Sequence, residues 1–488
     1  MEIGTIIENM ISTDDDSLVG LTGGPGVSDD DDNEEPNRKN GNKPSQRDLI
    51  AALTKKVTAN HNFKTFADTK EIYWYDSESG IYRSNGESII EAIAESIKPT
   101  ISTHEVNEII NHIRRRTLTP RSEFDSQIEC LTLRNCVVNL QTLETRPFSP
   151  EYMATIRIPV FYRESSAMNN FYEWIEDPFV AACPAILKFM HEVMAPEDVE
   201  TVLDFIAYCL WREFPFHVYL LFNGTGRNGK GVMLEIIKCL IGHENVSGES
   251  LHRLLGTRFA TAELYGKLAN IDADLSKEAL KNTGILKKLT GGDYVAAEKK
   301  FCPPFQFVNH TKLLFSANEI PMTEDESDAF FSRLKIINFP NQFLGKKDDH
   351  YLVHKLTTEE ELSGLLRIIL RRLPRVLKEG ISTTSSSIDE NYEKYILSSN
   401  HVRAFVEAAL EQNNDRAILK SEVYASYRMF CNSKKLAAES EQSFSRKLKK
   451  EFSLKDTQMR DENNNRAYYW IGIRIKDWKP TEEGQNTL

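Results

Sequence analysis

Hydrophobic side chains around residue 225 indicate a short strand followed by an amphipathic helix. Residues 217–222, HVYLLF, form an apolar run rich in strand formers. Residues 231–242, GVMLEIIKCLIG, place their apolar side chains largely at helical spacing and end at a glycine suited to a helix C-terminus. The pattern therefore predicts a buried strand and a helix joined by a glycine-rich loop.

Three further strand signals follow this loop. They are the apolar stretches 266–276 (GKLANIDADLS), 311–321 (TKLLFSANEIP) and 330–340 (FFSRLKIINFP), and a helical pattern at 279–293 stands between the first two. Strands separated by intervals long enough for helical or hairpin insertions are typical of an α/β sheet. The sequence therefore predicts an α/β fold around the loop.

The regions on either side have different patterns. Residues 12–46 combine Gly, Pro and clustered acid with few large apolar side chains, which predicts disorder. Residues 47–165 alternate helical patterns with aromatic strand-like runs, as in a small α+β domain. Residues 166–215 indicate consecutive amphipathic helices, and residues 391–479 contain three helical patterns and one strand, RAYYWIGIRI.

Composition narrows the classes of function. The chain has 488 residues and a formal charge of −12, which by itself argues against a nucleic-acid-binding protein. The charge is uneven, because residues 1–45 hold 11 Asp/Glu against 3 Lys/Arg, whereas residues 391–479 hold 17 Lys/Arg against 12 Asp/Glu. Seven cysteines lie far apart without a C-x-x-C pair, so their spacing suggests neither disulfides nor zinc. No apolar run reaches the ~20 residues of a membrane span, and we expect an intracellular protein without membrane contact.

The loop GTGRNGKG carries the first candidate chemistry. Gly224, Gly229 and Lys230 fit the first seven positions of G-x-x-x-x-G-K-[ST], in which backbone N–H groups surround phosphates and the lysine reaches the terminal ones. Gly231 stands at the eighth position, where a hydroxyl would bind magnesium. The alternative is a glycine-rich turn without a function. The predicted nucleotide contacts are Gly224, Thr225, Gly226, Arg227, Asn228, Gly229, Lys230, Gly231 and Val232.

Polar residues next to the later strands supply the other parts of a nucleoside triphosphatase. Such an enzyme needs a carboxylate that positions magnesium and water, a polar sensor of the γ-phosphate, and a cation that meets the transition state. Asp272 and Asp274 end one apolar strand, Asn318 ends another, and Arg333 precedes a third. With Lys230, these residues form the candidate catalytic and metal-binding set.

The order of these segments resembles superfamily 3 helicases of the phage, plasmid and poxvirus primase-helicase type. The matching segments are GTGRNGKG for Walker A, the strand ending at Asp274 for Walker B, ILKKLTGGDYVAAEKKF for the B′ element, LLFSANEIP for motif C and DAFFSRLKIINF for the arginine-finger segment. EIYWYDSESGIYR, RNCVVNLQTLETRPFSP and the helices of residues 166–215 resemble the region that precedes the ATPase in that family. The resemblance covers roughly residues 47–480.

The resemblance implies ATP as the nucleotide, Mg²⁺ as the cofactor and a role for each candidate. Lys230 contacts phosphates, Asp274 is the Walker B carboxylate and metal ligand, and Asn318 is the sensor. Asp272 is a neighbouring metal candidate without an assigned role. Because Gly231 lacks the usual hydroxyl, we infer that phosphate oxygens, waters and Asp274 hold Mg²⁺.

Arg333 takes the position of an arginine finger that acts on a neighbour's ATP. This role implies a homo-oligomeric ring, and the family resemblance implies a hexamer that translocates 3′ to 5′ on DNA. The alternative is a structural arginine that pairs with acid from EDESD, residues 324–328.

The resemblance also implies an architecture and a division of the chain. The expected fold is α/β, with a P-loop AAA+-like (superfamily 3) ATPase core, an N-terminal α+β and helical region, and a C-terminal winged-helix-like domain. The expected parts are 1–46 (disordered acidic tail), 47–165 (α+β domain), 166–215 (helical collar), 216–345 (ATPase/helicase domain), 346–390 (helical segment and linker) and 391–480 (winged-helix-like domain).

DNA contact is expected at two places. A β-hairpin in the B′ element would carry Lys299 and Lys300 into the pore of a ring, where they follow backbone phosphates of single-stranded or forked DNA. The alternative is a solvated lysine pair on a turn. The basic residues of 391–480 suit phosphate contacts, and plain surface charge is the competing interpretation.

Three functional hypotheses remain at this level. The main one is an ATP-driven replicative DNA helicase of a virus, plasmid or integrated element, acting at its replication site or in a prokaryotic cytoplasm. The second is a P-loop ATPase switch that loads a replication partner on DNA without processive unwinding. The third is a bifunctional primase-helicase, since Asp-Ala-Asp at 272–274 has the form of a primase metal motif. The Walker B register argues against that third hypothesis, so we expect no primase domain and a separate primase or polymerase partner.

Overall fold

The computed structural model describes residues 45–163, 183–276, 278, 280, 283–321, 323, 327–343, 349, 351–382, 395–396, 400–434, 436, 438–452, 454–460 and 466–476. Residues up to Arg157 make most of a first compact unit, and residues from Ile158 onward make most of a second. The expected disordered tail, 1–46, lies almost entirely outside the described residues, and so do residues 166–182 of the expected collar.

The first unit combines helices with small sheets. In chain order its elements are α1 (Gln46–Ala59), β1 (Phe63–Phe66), β2 (Ile72–Asp76), β3 (Ile81–Arg83), α2 (Gly86–Ile97), α3 (Thr103–Arg116), β4 (Leu118–Thr119), β5 (Cys130–Thr132), β6 (Val137–Asn139) and β7 (Thr145–Arg146). The strands form a sheet of order β3-β2-β1-β4 and a sheet of order β5-β6-β7.

Local sequence signals explain these elements. Ser45 and Ser102 begin α1 and α3, and each forms a capping box with the acid three residues later. Trp74 on β2 is buried, and its indole N–H donates to Asn85 Oδ1 at 2.6 Å. The predicted helical patterns form α1 to α3, and EIYWYDSESGIYR forms the β2–β3 hairpin, so the α+β pattern is confirmed.

The second unit begins with helices and continues with a parallel sheet. Its elements up to residue 380 are α4 (Pro184–Val193), α5 (Pro196–Cys209), β8 (Tyr219–Asn223), α6 (Lys230–Ile241), β9 (Val246–Ser247), α7 (Leu251–Gly256), α8 (Arg258–Ala262), β10 (Ala269–Asp272), α9 (Gly284–Leu289), β11 (Tyr294–Ala297), β12 (Phe305–Val308), β13 (Lys312–Ala317), α10 (Asp328–Phe331), β14 (Leu334–Asn338), α11 (Leu352–Leu356) and α12 (Glu359–Glu379).

The parallel sheet has the order β14-β8-β13-β10-β9, and each neighbouring pair is parallel. From one edge of the sheet to the other, the strands are therefore the fifth, first, fourth, third and second along the chain. Asn223 at the end of β8 pairs in register with Ala317 and Asn338. The carboxyl ends of these strands thus meet at one edge, which is where ligands bind in open α/β sheets. The predicted α/β fold is confirmed, and the two-residue edge strand β9 is an addition that the sequence pattern did not indicate.

A buried carboxylate joins the helices that precede the sheet to the long helix that follows it. Asp204 on α5 is fully buried, and its Oδ1 accepts from Arg372 Nε at 2.7 Å and from Arg375. Its Oδ2 accepts from the Ser382 backbone N–H at 2.7 Å. Burial raises the pKa of Asp204, but the arginine charge and the hydrogen bonds outweigh it and lower the pKa overall. Helix α5, which lies within the helical region expected at 166–215, therefore packs against α12.

A buried lysine starts the central strand β13. Lys312 is fully buried and donates to the carbonyls of Trp211, Glu213 and His310. Its ammonium also lies 4.3 Å from the centre of the Tyr208 ring. Burial lowers the pKa of Lys312 to about 7. The amine thus ties the chain after α5 to the amino end of the strand that leads to Asn318.

The C-terminal region, residues 400–476, has its own hydrophobic core. Its elements are α13 (His401–Ala409), β15 (Leu410–Leu419), α14 (Lys420–Ser433), α15 (Glu441–Phe452), β16 (Lys455–Arg460) and β17 (Arg466–Ile475). The antiparallel sheet has the order β15-β17-β16, and Phe405, Tyr427, Phe444 and Trp470 are buried in the core.

Two features of this region differ from the sequence prediction. The helical pattern HVRAFVEAALE ends early, because residues 410 and 411 already belong to β15. Strands β15 and β16 were not predicted, since KDTQMR and most of LEQNNDRAIL are polar and show little apolar alternation. Both strands flank β17 and depend on pairing with it.

Candidate functional site

The loop between β8 and α6, residues 224–229, contains a run of left-handed backbone conformations. Gly226, Arg227 and Gly229 have φ angles of +86°, +49° and +90°. Glycine adopts such angles without strain, and successive N–H groups in this kind of loop form a concave anion site. Helix α6 begins directly after it at Lys230. The loop therefore suits a phosphate group.

Two of the glycines are also required by their close neighbours. A Cβ added at Gly224 would lie 2.1 Å from Asn228 Nδ2 and 2.8 Å from the Phe339 carbonyl oxygen. A Cβ added at Gly229 would lie 2.7 Å from Val193 Cγ1. Side chains at these positions would push the loop away from its supports. Close packing therefore requires glycine at both positions.

A segment after β14, residues 339–343, holds the loop from outside. The Phe343 N–H donates to the Arg227 carbonyl at 2.8 Å, and Gln342 Nε2 donates to Thr225 Oγ1 at 2.8 Å. The sequence pattern did not indicate this support, because it depends on the chain returning to the loop after β14.

Lys230 and Asn318 lie 88 residues apart in sequence and meet at the carboxyl edge of the sheet. The Lys230 ammonium donates to Asn318 Oδ1 at 3.1 Å and to the Gly224 carbonyl. Burial lowers the pKa of Lys230, and the negative charge of Asp274 opposes this shift. The ammonium is thus held by neutral oxygens that an anionic phosphate could replace.

The two candidate carboxylates lie beside this pair. Asp272 ends β10, and its Oδ2 is enclosed without a hydrogen-bond partner in the described residues. Burial raises the pKa of Asp272. Asp274 is exposed and interacts electrostatically with Lys230. The structure thus brings both carboxylates to the edge that holds the loop, and the assignment of Asp274 as the Walker B residue stays a prediction.

The side chains of Asp272 and Asp274 are suitable ligands for a magnesium ion. Magnesium takes oxygen ligands and keeps several waters, and the enclosed Asp272 Oδ2 and the exposed Asp274 carboxylate both supply oxygen. Gly231 supplies none, and nothing lies within 4 Å of a Cβ added there. Val232, the next residue, is half-buried in the first turn of α6. The position of the missing hydroxyl is therefore open space.

Arg333 lies at the opposite edge of the sheet. It precedes β14, whose first residue Leu334 pairs with Tyr219 at the start of β8. A five-residue strand spans about 16 Å, so this edge is remote from the loop of its own chain. Arg333 Nη1 donates to the Ala329 carbonyl at 2.6 Å, and its Nε is enclosed without a partner in the described residues.

The structural alternative for Arg333 was an ion pair with acid from residues 324–328. Within the described residues Arg333 makes no ion pair, and Asp328 is the carboxylate of that segment that the structure describes. Residues 324–326 lie outside the described residues.

The expected hairpin is present. Strands β11 and β12 are antiparallel, with Ala297 opposite Phe305, and residues 298–304 form its tip. Lys299 and Lys300 are exposed there. The predicted hairpin with two exposed lysines is confirmed as a structure, and its contact with DNA stays a prediction.

The hairpin tip carries an aromatic residue that the sequence analysis missed. Phe301 is fully exposed, at 104% relative accessibility, and has a φ of +63°. Tyr294 on β11 is also exposed, at 71%. Exposed aromatic rings beside lysines are the groups on which the bases of single strands stack. The signal in the sequence is the Phe that directly follows Lys-Lys in a predicted hairpin.

Family models match three separate parts of the chain. Residues 37–195 match a family described as D5 N terminal like, residues 222–333 match a family of unknown function (DUF5906), and residues 399–477 match the RFX DNA-binding domain. The second match contains the loop, both carboxylates, Asn318, the hairpin and Arg333.

One curated relative is "Putative helicase L207/L206" of Acanthamoeba polyphaga mimivirus, which is 26% identical over 153 residues. The alignment covers 30% of this chain and 16% of the relative. Among solved structures, two apo forms of the NrS-1 C-terminal region have TM-scores of 0.40 and 0.41 at 11% identity. They cover 86–87% of this chain and 98–99% of the other.

The D5 N terminal like match and the relative named a putative helicase fit a primase-helicase-type protein, so the resemblance predicted from the motifs is confirmed. The expected absence of a primase domain stays a prediction. In the described part of the chain, no helix is long and apolar enough to cross a membrane.

Proposed function

We propose that this protein is an ATP-driven replicative DNA helicase of superfamily 3, from a virus, plasmid or integrated element. The observation that carries the proposal is the contact of Lys230 with Asn318 beside two carboxylates at the carboxyl edge of a parallel sheet. A phosphate-binding lysine, a polar sensor and metal-binding acid are the parts that phosphoryl transfer needs at one point. The strand order, fifth-first-fourth-third-second, supports an AAA+-like core.

The residues of the chain take separate roles in ATP hydrolysis. The loop N–H groups and Lys230 bind the phosphates, and Lys230 exchanges its neutral acceptors for phosphate oxygens. Asn318 then orients the attacking water and reports the γ-phosphate. Asp274, with Asp272 beside it, would hold Mg²⁺, which neutralises phosphate charge when it is bound.

Arg333 supports a ring rather than a monomer as the active form. It lies at the edge of the sheet remote from its own loop, so it cannot complete the site of its own chain without a large movement. A neighbouring subunit could present it to the ATP, as arginine fingers act in trans. We therefore propose a closed homo-oligomer, in the form of a hexamer, that uses Arg333 across each interface.

The hairpin supports a motor over a loading switch. Lys299, Lys300 and Phe301 are exposed together at its tip, and they combine charges for phosphates with a ring for bases. A switch that loads a partner without unwinding has no need of such a tip in a pore. We propose that the tip follows single-stranded DNA as the ring translocates 3′ to 5′.

The C-terminal region supports a second DNA contact. Its element order and three-stranded sheet suit a winged-helix-like domain, and it matches the RFX DNA-binding domain. The curated relative is named as a helicase, and the D5 N terminal like match lies before the ATPase region. These names are consistent with replication of viral or plasmid DNA, with a primase or polymerase as a separate partner.

The test measures ATP hydrolysis and strand displacement together, on forked duplexes with either a 3′ or a 5′ single-stranded tail. We expect DNA-stimulated ATP hydrolysis and unwinding of the 3′-tailed fork, both abolished by Lys230→Ala. Stimulated hydrolysis without displacement of either fork would favour the loading switch. If no ATP is hydrolysed in the presence of DNA and Mg²⁺, the proposal that the protein is an ATP-driven enzyme is wrong.

The hairpin is tested with two double variants. Lys299→Ala with Lys300→Ala should keep basal ATP hydrolysis and lose unwinding and DNA stimulation. Lys55→Ala with Lys56→Ala is the matched control, because it removes an adjacent pair of exposed lysines from α1. Equal unwinding by the two double variants would show that the hairpin lysines are ordinary surface charges without a role in unwinding.

A further inference from the structure

We propose that Glu235, Cys239 and His243 form a binding site for a zinc ion at the C-terminal end of α6. They form a group of three side chains whose ligand atoms all lie within 4.8 Å of one another, which is close enough to hold a metal. The site is separate from the nucleotide loop, which lies at the other end of α6, and it does not depend on the proposed helicase function.

The backbone places the three side chains together. Glu235 and Cys239 are four residues apart on α6, so they lie on one face of the helix. Gly242 ends the helix with a φ of +97°, and a Cβ added there would lie 2.9 Å from Pro159 Cδ. This turn returns the chain so that His243 faces the same surface.

The distances match those of a metal site. Cys239 Sγ lies 3.8 Å from Glu235 Oε1 and 3.9 Å from His243 Nε2, and the latter two atoms are 3.3 Å apart. The circle through these three atoms has a radius of about 2.1 Å, close to the 2.0–2.3 Å bonds that zinc forms with oxygen, nitrogen and sulfur. Small side-chain movements are sufficient to complete three bonds, and a water would take the fourth position.

The local charges favour a cation. The last carbonyls of α6 carry a partial negative charge, and Glu235 adds a full one. Cysteine binds zinc as the thiolate, so binding of the metal displaces the proton of the Cys239 thiol. Lys238 competes for the site, because its Nζ lies 3.9 Å from Glu235 Oε2.

The chemistry of the ligands separates this site from the magnesium site. Thiolate and imidazole suit zinc and related transition ions, whereas magnesium requires oxygen ligands. The cysteine pattern suggested no zinc because it contains no C-x-x-C pair. The spacing E-x₃-C-x₃-H instead uses one face of α6 for Glu235 and Cys239 and the turn after Gly242 for His243.

Cobalt is the probe for the test, because Co²⁺ replaces Zn²⁺ and is coloured. We expect the metal-free full-length protein to bind one Co²⁺ with a thiolate charge-transfer band and the intense visible bands of tetrahedral cobalt. One equivalent of Zn²⁺ should abolish these bands, and excess Mg²⁺ should leave them. Binding should also raise the melting temperature and release one proton per metal.

Variants make the assignment specific. Cys239→Ser and His243→Ala should each weaken cobalt binding at least tenfold, and both side chains are accessible enough for the fold to tolerate the change. Cys302→Ala removes an exposed cysteine elsewhere and should leave binding unchanged. Lys238→Met should strengthen binding because it removes the competing cation. The proposal is overturned if no tetrahedral spectrum forms, or if Cys239→Ser and Cys302→Ala bind cobalt equally well.

Discussion

Asp204 provides a quantitative test of how the helical region is held. Asp204→Asn keeps the shape of the side chain but removes the charge that faces Arg372 and Arg375, and it places an amide donor against a guanidinium or a backbone N–H. Breaking a buried ion pair costs about 3–5 kcal/mol. The arginine side chains remain 15% and 28% exposed, so water recovers part of that loss, and we expect a destabilisation of about 2–4 kcal/mol.

The assay is calorimetry, combined with amide hydrogen exchange of α5 and α12. In a region as large as the second unit, a destabilisation of about 2–4 kcal/mol should lower the melting temperature of the transition that includes α5 and α12 by roughly 4–16 °C. Glu200→Gln is the matched control, since Glu200 pairs with the same Arg372 but is 54% exposed. Exposed pairs contribute about 0–1 kcal/mol, so this control should melt within a few degrees of the wild type.

The dependence on pH has a definite sign. The pKa of Asp204 is lowered from an ordinary value near 3.8, so the folded state holds the carboxylate more strongly than the unfolded chain does. The stabilisation that the Asp204 carboxylate contributes is therefore complete when the pH is above its ordinary pKa. It is lost as the pH falls through the lower pKa of the folded state. The gap between wild type and Asp204→Asn should stay constant from pH 8 to 5. Equal melting temperatures for the two proteins at pH 7 would refute this account of the α5–α12 contact.

The remaining predictions concern catalysis. Asp274→Asn should stop ATP hydrolysis while nucleotide binding, measured by fluorescence of a labelled nucleotide, is retained; a more severe loss in Asp272→Asn would move the Walker B role to that residue. Arg333→Ala and Lys230→Ala should each be nearly inactive, and mixing them should restore hydrolysis at about a quarter of the interfaces if the arginine acts in trans. Mixed rings without activity would contradict that role. Gly231→Ser should lower the Mg²⁺ concentration needed for half-maximal hydrolysis, because a Cβ there has no neighbour within 4 Å; an unchanged magnesium requirement would show that the hydroxyl does not reach the metal.

Local patterns were sufficient for the elements around the nucleotide loop. The apolar run before Gly224 forms β8 and the periodic run after it forms α6, because a buried parallel strand and a helix each leave a clear period in the sequence. The motif spacing likewise placed Asn318 and the carboxylates at strand ends, and Lys230 after the loop that follows β8. Since the carboxyl ends of parallel strands share an edge, the sequence could predict that these residues meet.

Local sequence patterns did not predict the edge strands or the segment that supports the nucleotide loop. Strands β9, β15 and β16 are short or polar, and they exist because a neighbouring strand offers its backbone groups for pairing. The support of the loop by residues 339–343 depends on the path of the chain after β14. The periodicity of hydrophobic residues within one segment carries no information about contacts between segments that are distant in the chain.

The amino-acid sequence by itself determined the strand-loop-helix unit, the order of the motifs and the residue types that can handle a phosphate, because these depend on local periodicity and on chemistry carried by single side chains. Only the tertiary structure decided that Arg333 lies at the edge opposite its own loop, that Lys312 is buried among three carbonyls, and that His243 turns back onto Cys239. Burial and proximity arise from long-range packing, in which each residue's environment is set by segments remote in the chain.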